Sequence, residues 1–558
     1  MSGRTGAHVV ADMLDGYGVS HLFLVPAILR RTLAELERHH PHIERVVTHG
    51  EKAAAYMADG YARVSGRPGL AAAQVVGALN LAAGLREPFL AGAPVIALTG
   101  GRSPATQFRR VYQEVDDRPA FDPVTKLNAV VDDAGRLPDM LRQAFRVATT
   151  GAPGPVHLQI RGNEGQLDAD ETDAEAVVEP AFARVPAIRP APDDESVRTV
   201  LGLLNAAVRP VIVAGGGVRQ SRAGAELVAL AEALGIPVAT SANGKDTIPG
   251  THPLSVGVVG SYSRECANQV VARADLVCFV GTATGGMTTH FWAVPPEGTP
   301  AVQIDIEPSH LGLNYPLRAF VAADARLALA RMLALAETPP DRAEWRAEVD
   351  HLKAAWRSRY REVLTSDAVP IRPERIAGEL TAGLPGDAVL VADTGHAGMW
   401  MAQFHDVTSP AQSYLRSAGH LGWAFCAGVG AKCAAPERPV VVFTGDAGLY
   451  YHLGEIETAV RRRVNLITVV NNNHGGNQSK RGFERAYGGR PTDKSRELWT
   501  YEDVDFARIA EGMGALGIRV DKPGDLAPAL NRALEAGRPV VIDVHTDIGV
   551  VAPLPVSS

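Results

Sequence analysis

One stretch limits the folds open to this chain more than any other. Residues 440–476 read VVVFTGDAGLYYHLGEIETAVRRRVNLITVVNNNHGG. The run 440–443 is continuously apolar and β-branched, which predicts a buried strand. Gly445-Asp446-Ala447-Gly448 then turns the chain. Over 453–463, small or apolar residues fall at Leu453, Ile456, Ala459 and Val460, the spacing of a helix. Residues 464–470 predict a second buried strand, which ends in Asn471-Asn472-Asn473. Such a β-α-β unit sets oxygen donors at the carboxyl ends of two parallel strands, the edge at which open parallel sheets bind ligands.

Asp446 offers a carboxylate and Asn473 an amide oxygen, 27 residues apart. Both are hard donors and suit Mg²⁺ better than zinc; Mg²⁺ held by few protein ligands completes its shell with phosphate oxygens and water. A strand-end Asp capping a helix, followed by an Asn-rich turn, accounts for the same spacing. Spacing alone leaves both readings open.

With 558 residues the chain has room for three or four domains, and 46% hydrophobic content supports ordinary cores. A net charge of −7 without a basic block argues against nucleic acid as the main partner. Cys266, Cys278, Cys426 and Cys433 show no CxxC spacing, and Cys278 and Cys426 lie in apolar runs. That usage points to a reducing, cytoplasmic setting. The N-terminal sequence has no signal-type apolar region, and no run of about eighteen apolar residues predicts a membrane span.

Taken in order, residues 6–165 alternate helices (6–17, 30–39) with strands (21–25, 43–48, 69–75, 94–99, 156–160), as in a parallel sheet covered on both faces. Glu51 follows a strand and opens the Ala-rich segment EKAAAYMADGYAR. A Glu in a helix's first turn is favourable with the helix dipole whether or not it does more. The acid- and proline-rich stretch 161–193 reads as a solvated linker. A second α/β unit follows, with strands at 210–214, 276–280 and 302–306 and a helix at 223–234. Its GGGVRQ has Gln220 where the last glycine of a dinucleotide fingerprint belongs. After a linker at 337–370, a third unit begins with a strand at 388–392 and the turn Asp393-Thr394-Gly395-His396-Ala397-Gly398. It closes over 503–543 as helix, strand, helix, strand.

GDAG…NNN, with ETAVRRRVNLITVVNNN, resembles the thiamine-diphosphate fingerprint of acetolactate synthases and related 2-keto acid decarboxylases and lyases. The third fingerprint glycine is Ala447 here. EKAAAYMADGYAR resembles the family's EQGAAHMAEGYAR, GALNL its GATNL, and Tyr112-Gln113-Glu114 its Phe-Gln-Glu. SANGKDTIPGTHPLSVG and QIDIEPSHLGLNYP are similar to its central-domain motifs, and Asp393-x-Gly395-x-x-x-Met399-Trp400 to its diphosphate turn. The likeness covers nearly the whole chain. Departures are Gln74-Val75-Val76 in place of Ser-Gly-Pro, Leu24-Val25-Pro26-Ala27 in place of a glycine-rich turn, and Gly50 where relatives often have His.

The resemblance implies three α/β domains with parallel sheets flanked by helices: pyrimidine-binding (1–165), central (190–336) and diphosphate-binding (370–558). It implies thiamine diphosphate and Mg²⁺, the metal held by Asp446, Asn473 and the Gly475 carbonyl. Glu51 is the matching pyrimidine N1′ partner, Gln113 faces the active site, and Leu421 of Ser417-Ala418-Gly419-His420-Leu421-Gly422 bends the cofactor from beneath. Further cofactor contacts fall on Asn80, Gly395, His396, Ala397, Gly419, Gly445, Ala447, Gly448 and Gly476. His396 is read as a phosphate donor or a plain turn residue. His420, His452, His474 and Trp499 are pocket candidates by proximity.

The implied reaction is decarboxylation of a 2-keto acid, pyruvate by default, and carboligation to a second carbonyl, in a homodimer or dimer of dimers with interface active sites. The alternative is a 2-keto acid decarboxylase or an acyloin or 2-hydroxyacyl lyase. Rivals of another class are a non-catalytic paralogue and a dinucleotide oxidoreductase. Acetolactate synthases bind FAD in the central domain. Here residues 281–287 replace a segment that carries arginine, so a structural domain is expected, with FAD as the alternative.

Overall fold

The computed structural model describes residues 3–554. It contains three six-stranded sheets, and every strand pair in them is parallel. The first comprises β1 (His21–Leu24), β2 (Glu44–Val47), β3 (Gly69–Ala73), β4 (Val95–Gly101), β5 (Leu127–Val131) and β6 (Val156–Arg161), in the order β2-β1-β3-β4-β6-β5. The second comprises β7 (Pro210–Ala214), β8 (Val238–Thr240), β9 (Ser255–Val258), β10 (Leu276–Val280), β11 (Ala301–Asp305) and β12 (Leu317–Ala322), ordered β12-β11-β10-β7-β8-β9. The third comprises β13 (Val389–Ala392), β14 (Ser413–Arg416), β15 (Val440–Gly445), β16 (Ile467–Asn472), β17 (Leu516–Val520) and β18 (Val540–His545), ordered β14-β13-β15-β16-β18-β17. The three-domain α/β reading therefore holds.

Besides the late insertion of β6 inside β5 and of β18 inside β17, the direction of strand addition reverses once in each sheet, between β1 and β3, β7 and β10, and β13 and β15. Ligands of such sheets bind outside the carboxyl ends at that reversal. The strands beside it read as unbroken apolar runs because helices cover both faces: GLAAA in β3 and LVCFV in β10 are buried at every residue.

The chain divides into two compact units. One runs to Ile188 and takes in Phe425–Glu437 and His452–Leu466; the other holds the remaining described residues. In the first unit, Val9, Met13, Leu22, Leu70, Ile96, Phe145 and Leu158 form one buried cluster. The helix Glu51–Ser65 lies against residues of the helix Trp423–Ala434 so closely that only glycine fits. A Cβ on Gly60 would stand 2.0 Å from the Ala427 carbonyl oxygen, and one on Gly430 1.8 Å from that of Met57.

The stretch read as a solvated linker needs one correction. Leu167 and Asp168 are buried, and Asp168 Oδ2 accepts hydrogen bonds from the Thr32 N–H and hydroxyl at 3.1 and 3.2 Å. The triple glycine leads straight into a short helix, Gly216–Gln220.

Candidate active site

Two groups of predicted residues come together, one in each unit. In the first unit two residues separate the end of β2 from Gly50, which caps the helix Glu51–Ser65 in an extended conformation. Glu51 therefore stands in the first helical turn, at the carboxyl edge of the sheet. Asn80, on the helix Ala78–Ala91, donates its side-chain N–H to Glu51 Oε2 at 3.1 Å. Gly77 makes room for the other oxygen: a Cβ there would lie 2.3 Å from Glu51 Oε1. Glu51 and Asn80, matched separately in sequence, are thus one structural unit. A carboxylate held by one amide and a glycine gap is a positioned acid–base group.

Gln113 belongs to the same neighbourhood through Gln74, whose side-chain N–H donates to Gln113 Oε1 at 3.1 Å. Gln113 takes a left-handed backbone conformation, φ 64°. Asn163 clips the two loops together: its carbonyl accepts from the Val75 N–H at 2.9 Å, and its side-chain N–H donates to the Tyr112 carbonyl at 2.7 Å.

In the second unit the β13/β15 reversal is organised by Asp393, which sequence reasoning placed in a motif but gave no role. Asp393 is buried. Its carboxylate accepts from the Thr394 N–H at 2.8 Å, the Thr444 hydroxyl at 2.9 Å and the Gly422 N–H at 3.2 Å. One side chain so joins the ends of two strands to the loop that carries Gly419 and Leu421. Gly448 closes on this knot, where a Cβ would come within 2.4 Å of Thr444 Oγ1. Leu421 is 36% exposed, which rules out a plain core leucine. Gly395 has φ 67° and precedes the helix His396–Phe404, so the His396 and Ala397 N–H groups stand at a helix N-terminus, a favourable place for phosphate. His396 is buried, and its Nδ1 has no partner among the described residues. Burial, with the Arg481 charge adding, pushes its imidazole down to about 4, so the ring is neutral at pH 7.

Asp446 opens the short helix after β15. Its Oδ1 accepts from the Ala447 N–H at 2.7 Å and its Oδ2 from the Gly475 N–H at 2.9 Å. Burial pushes this carboxyl up to about 6 despite those bonds. Asn473 Oδ1 is buried with no partner among the described residues. A desolvated carboxylate and an orphaned amide oxygen at the carboxyl ends of the paired strands β15 and β16 fit a hard cation, which would supply the missing charge and the missing bond. Gly476 donates its N–H to the Trp499 carbonyl at 2.7 Å. Asn472 is the support that sequence reasoning passed over: its side chain donates to Asp543 Oδ1 at 2.9 Å and to the Val504 carbonyl at 3.0 Å, pinning the end of β16.

Of the pocket candidates, His474 and Trp499 stay with Asp446, His474 stacking on His545 with ring centroids 5.0 Å apart. His420 is on the Leu421 loop, where its carbonyl accepts from the Ser417 hydroxyl at 2.9 Å. His452 falls in the first unit, edge-on to Tyr56. In the central sheet, Gly217 donates its N–H to the Gly281 carbonyl at 2.9 Å, so the two glycine turns at the β7/β10 reversal pack on each other. Among the described residues no helix is long and apolar enough to cross a membrane.

Residues 4–120, 197–332 and 393–544 match, respectively, the N-terminal TPP binding domain, the central domain and the C-terminal TPP binding domain of thiamine pyrophosphate enzymes. Thiamine pyrophosphate is thiamine diphosphate under its other name. The chain is 30% identical to a probable acetolactate synthase large subunit of Methanocaldococcus jannaschii, over 98% of this chain and 93% of that protein. It is 30% identical to the acetolactate synthase large subunit of Corynebacterium glutamicum, covering 97% and 86%. It is 28% identical to the putative thiamine pyrophosphate-containing protein YdaP of Bacillus subtilis, covering 100% and 93%. Three matched domains in the family's order, and relatives aligned along almost their full length, place this chain in the thiamine-diphosphate-dependent enzyme family, as an acetolactate synthase-like member.

Proposed function

We propose that the protein decarboxylates a 2-keto acid, pyruvate by default, and joins the acyl unit to a second carbonyl. The observation that carries this reading is the Glu51 carboxylate, fixed by Asn80 and given space by Gly77. Thiamine diphosphate, when bound, supplies the carbanion chemistry that lets a 2-keto acid lose CO₂ and hand its acyl carbon on. Glu51 holds a proton at the pyrimidine N1′, the step for which a positioned carboxylate is needed. Asp446, Asn473 and the Gly475 carbonyl would hold Mg²⁺, whose charge would balance the diphosphate. His396, neutral, and the N–H groups after Gly395 bind phosphate oxygens. Leu421 offers its exposed side chain to the cofactor rings. Gly419, Gly445, Ala447, Gly448 and Gly476 give the backbone its close approach.

The working form is a homodimer, or a dimer of dimers, with active sites between subunits. Val76, Leu79, Phe108 and Tyr112 support this: all four are exposed apolar side chains on the loops and helix beside Gln74, Gly77 and Asn80. The central domain is structural and carries no FAD, a reading supported by the absence of arginine from 281–287 and by the packing of Gly217 on Gly281. The enzyme works in the cytoplasm, in keeping with four free cysteines.

A second reading, simple decarboxylation or C–C lyase activity, is favoured by one feature. Gln74-Val75-Val76 replaces Ser-Gly-Pro beside Glu51 and changes the walls that an acceptor meets. Purified protein given thiamine diphosphate, Mg²⁺ and pyruvate, with and without acceptor carbonyls, separates the two by product NMR. Acetolactate or another acyloin is expected. Aldehyde alone supports the second reading; no CO₂ from any 2-keto acid, together with no cleavage of acyloin or 2-hydroxyacyl substrates, overturns both.

A further inference from the structure

Gln74 sits at the carboxyl end of β3, beside the point where the first sheet reverses its order. It caps the single turn Val75–Gly77, and Gly77 is the residue against which Glu51 rests. The side chain at this position is therefore three residues from the glycine that makes room for the Glu51 carboxylate.

Its hydrogen bond has a direction. Gln74 donates an N–H to Gln113 Oε1 at 3.1 Å. The acceptor end of the Gln113 amide is thereby used. Both N–H groups of Gln113, and the second N–H of Gln74, meet no acceptor among the described residues. Neither side chain is fully buried. The left-handed backbone of Gln113 and the Asn163 clip keep the two amides together. Three N–H groups without an acceptor among the described residues, against one such acceptor oxygen on Gln74, make this neutral, half-buried pair mainly a donor array. Such an array favours an acceptor-only group, a carboxylate or a carbonyl oxygen, over a cation.

We propose that Gln74 determines substrate specificity in this enzyme, by fixing the Gln113 amide with its N–H groups presented to the carboxylate or carbonyl oxygen of the substrate. The assignment rests on the function proposed above and adds the recognition element. Gln74 works through Gln113 and is a positioning residue. Where Ser-Gly-Pro stands, no side-chain amide is present to hold the glutamine, so this chain selects substrates by a device of its own.

The test uses the full-length protein with thiamine diphosphate and Mg²⁺. Gln74→Ala leaves the Gln113 amide free to turn, and Gln74→Glu offers it only acceptors, which inverts it. Removing a hydrogen bond that orients a group toward a charged partner is typically worth about tenfold or more. KM for the 2-keto acid is expected to rise by roughly that factor in Gln74→Ala and further in Gln74→Glu. In both, thiamine diphosphate affinity and C2 deuterium exchange of the bound cofactor stay near the wild-type values. A Gln74→Ala/Gln113→Ala double variant should be no worse than Gln113→Ala alone, because the two residues act as one. Wild-type KM and unchanged discrimination among keto acids in both single variants overturn the role of Gln74. So does an additive double variant. Failure of the underlying reading looks different: the wild-type protein itself then binds no thiamine diphosphate or turns over no 2-keto acid.

Discussion

Asn80 Nδ2 lies 3.1 Å from Glu51 Oε2, although the two residues sit on different helices and 29 positions apart. The bond fixes one oxygen of the carboxylate, and the gap at Gly77 accommodates the other. The position of this single acid is thus set from both sides.

Glu51→Gln keeps the size and one acceptor but cannot hold a proton as a carboxylate does. Turnover should fall by about 10²–10⁴-fold, and C2 exchange of the bound cofactor should slow with it. Affinity for thiamine diphosphate should change far less, because Asp446 and the turn after Gly395 are in the other unit. Near-normal exchange and turnover would reduce Glu51 to a helix-start residue.

Gly77→Ala puts a methyl group 2.3 Å from Glu51 Oε1, so the carboxylate has to move. Displacing a catalytic group by about 1 Å can cost about 10²-fold. A loss approaching that size is expected in kcat, with little change in the melting temperature. Steady-state kinetics and a thermal melt on the same preparation check it, and an unchanged kcat would count against the geometry.

Asp446→Ala removes the carboxylate from the cation site and leaves Asn473 with one carbonyl, too little charge to balance a diphosphate. Mg²⁺-dependent retention of thiamine diphosphate should be lost. Calorimetry that finds wild-type affinity in the variant would refute the metal assignment.

The central domain gives a prediction about colour. Protein purified without added cofactor should show no yellow flavin absorbance. Stoichiometric FAD released on denaturation would overturn the reading of 281–287.

His157 gives a pH dependence. It is buried, stacked on Phe121 with ring centroids 3.5 Å apart, and its nitrogens lie 2.8 Å from Thr99 Oγ1 and Asn128 Oδ1. Burial, with the Arg118 charge adding, pushes its imidazole down to about 3. Folding requires the neutral ring, whereas the unfolded chain takes up a proton near the ordinary value of about 6.5. Stability from this residue is therefore complete above about pH 6.5 and is lost as the pH falls from there toward 3, at up to about 1.4 kcal/mol per pH unit. Melting temperatures from pH 7 to 5 should decline, and less steeply in His157→Phe. A parallel decline in the two proteins would remove His157 as the cause.

The sequence made the interior strands legible and most of the edges obscure. β3, β10 and β15 are buried on both faces and read as apolar runs. The strands that went unread were β5, β8, β9, β12 and β14. All but β8 are edge strands, and β8 has only three residues. β12 alternates buried and open positions, which dilutes the apolar signal of LRAFVA. The strand-end positions of Glu51 and Asp446 were legible because each follows an apolar run and opens a helix. The Asp393 knot and the Gln74–Gln113 pair were not, since a contact between distant loops leaves no period in the sequence.

The close backbone contact of Gly60 with Ala427, and of Gly430 with Met57, bears on how the protein is made. The N-terminal sheet leaves the ribosome first, but its unit is finished by Phe425–Glu437 and His452–Leu466. At about 5–20 residues per second, more than two hundred intervening residues take roughly ten to fifty seconds to synthesise. For that interval the helix Glu51–Ser65 shows an open face of alanine, methionine and glycine backbone to solvent. A gene fragment ending near residue 165 would make this exposure permanent, so the first domain should be obtained as soluble protein only when the later segments are synthesised with it.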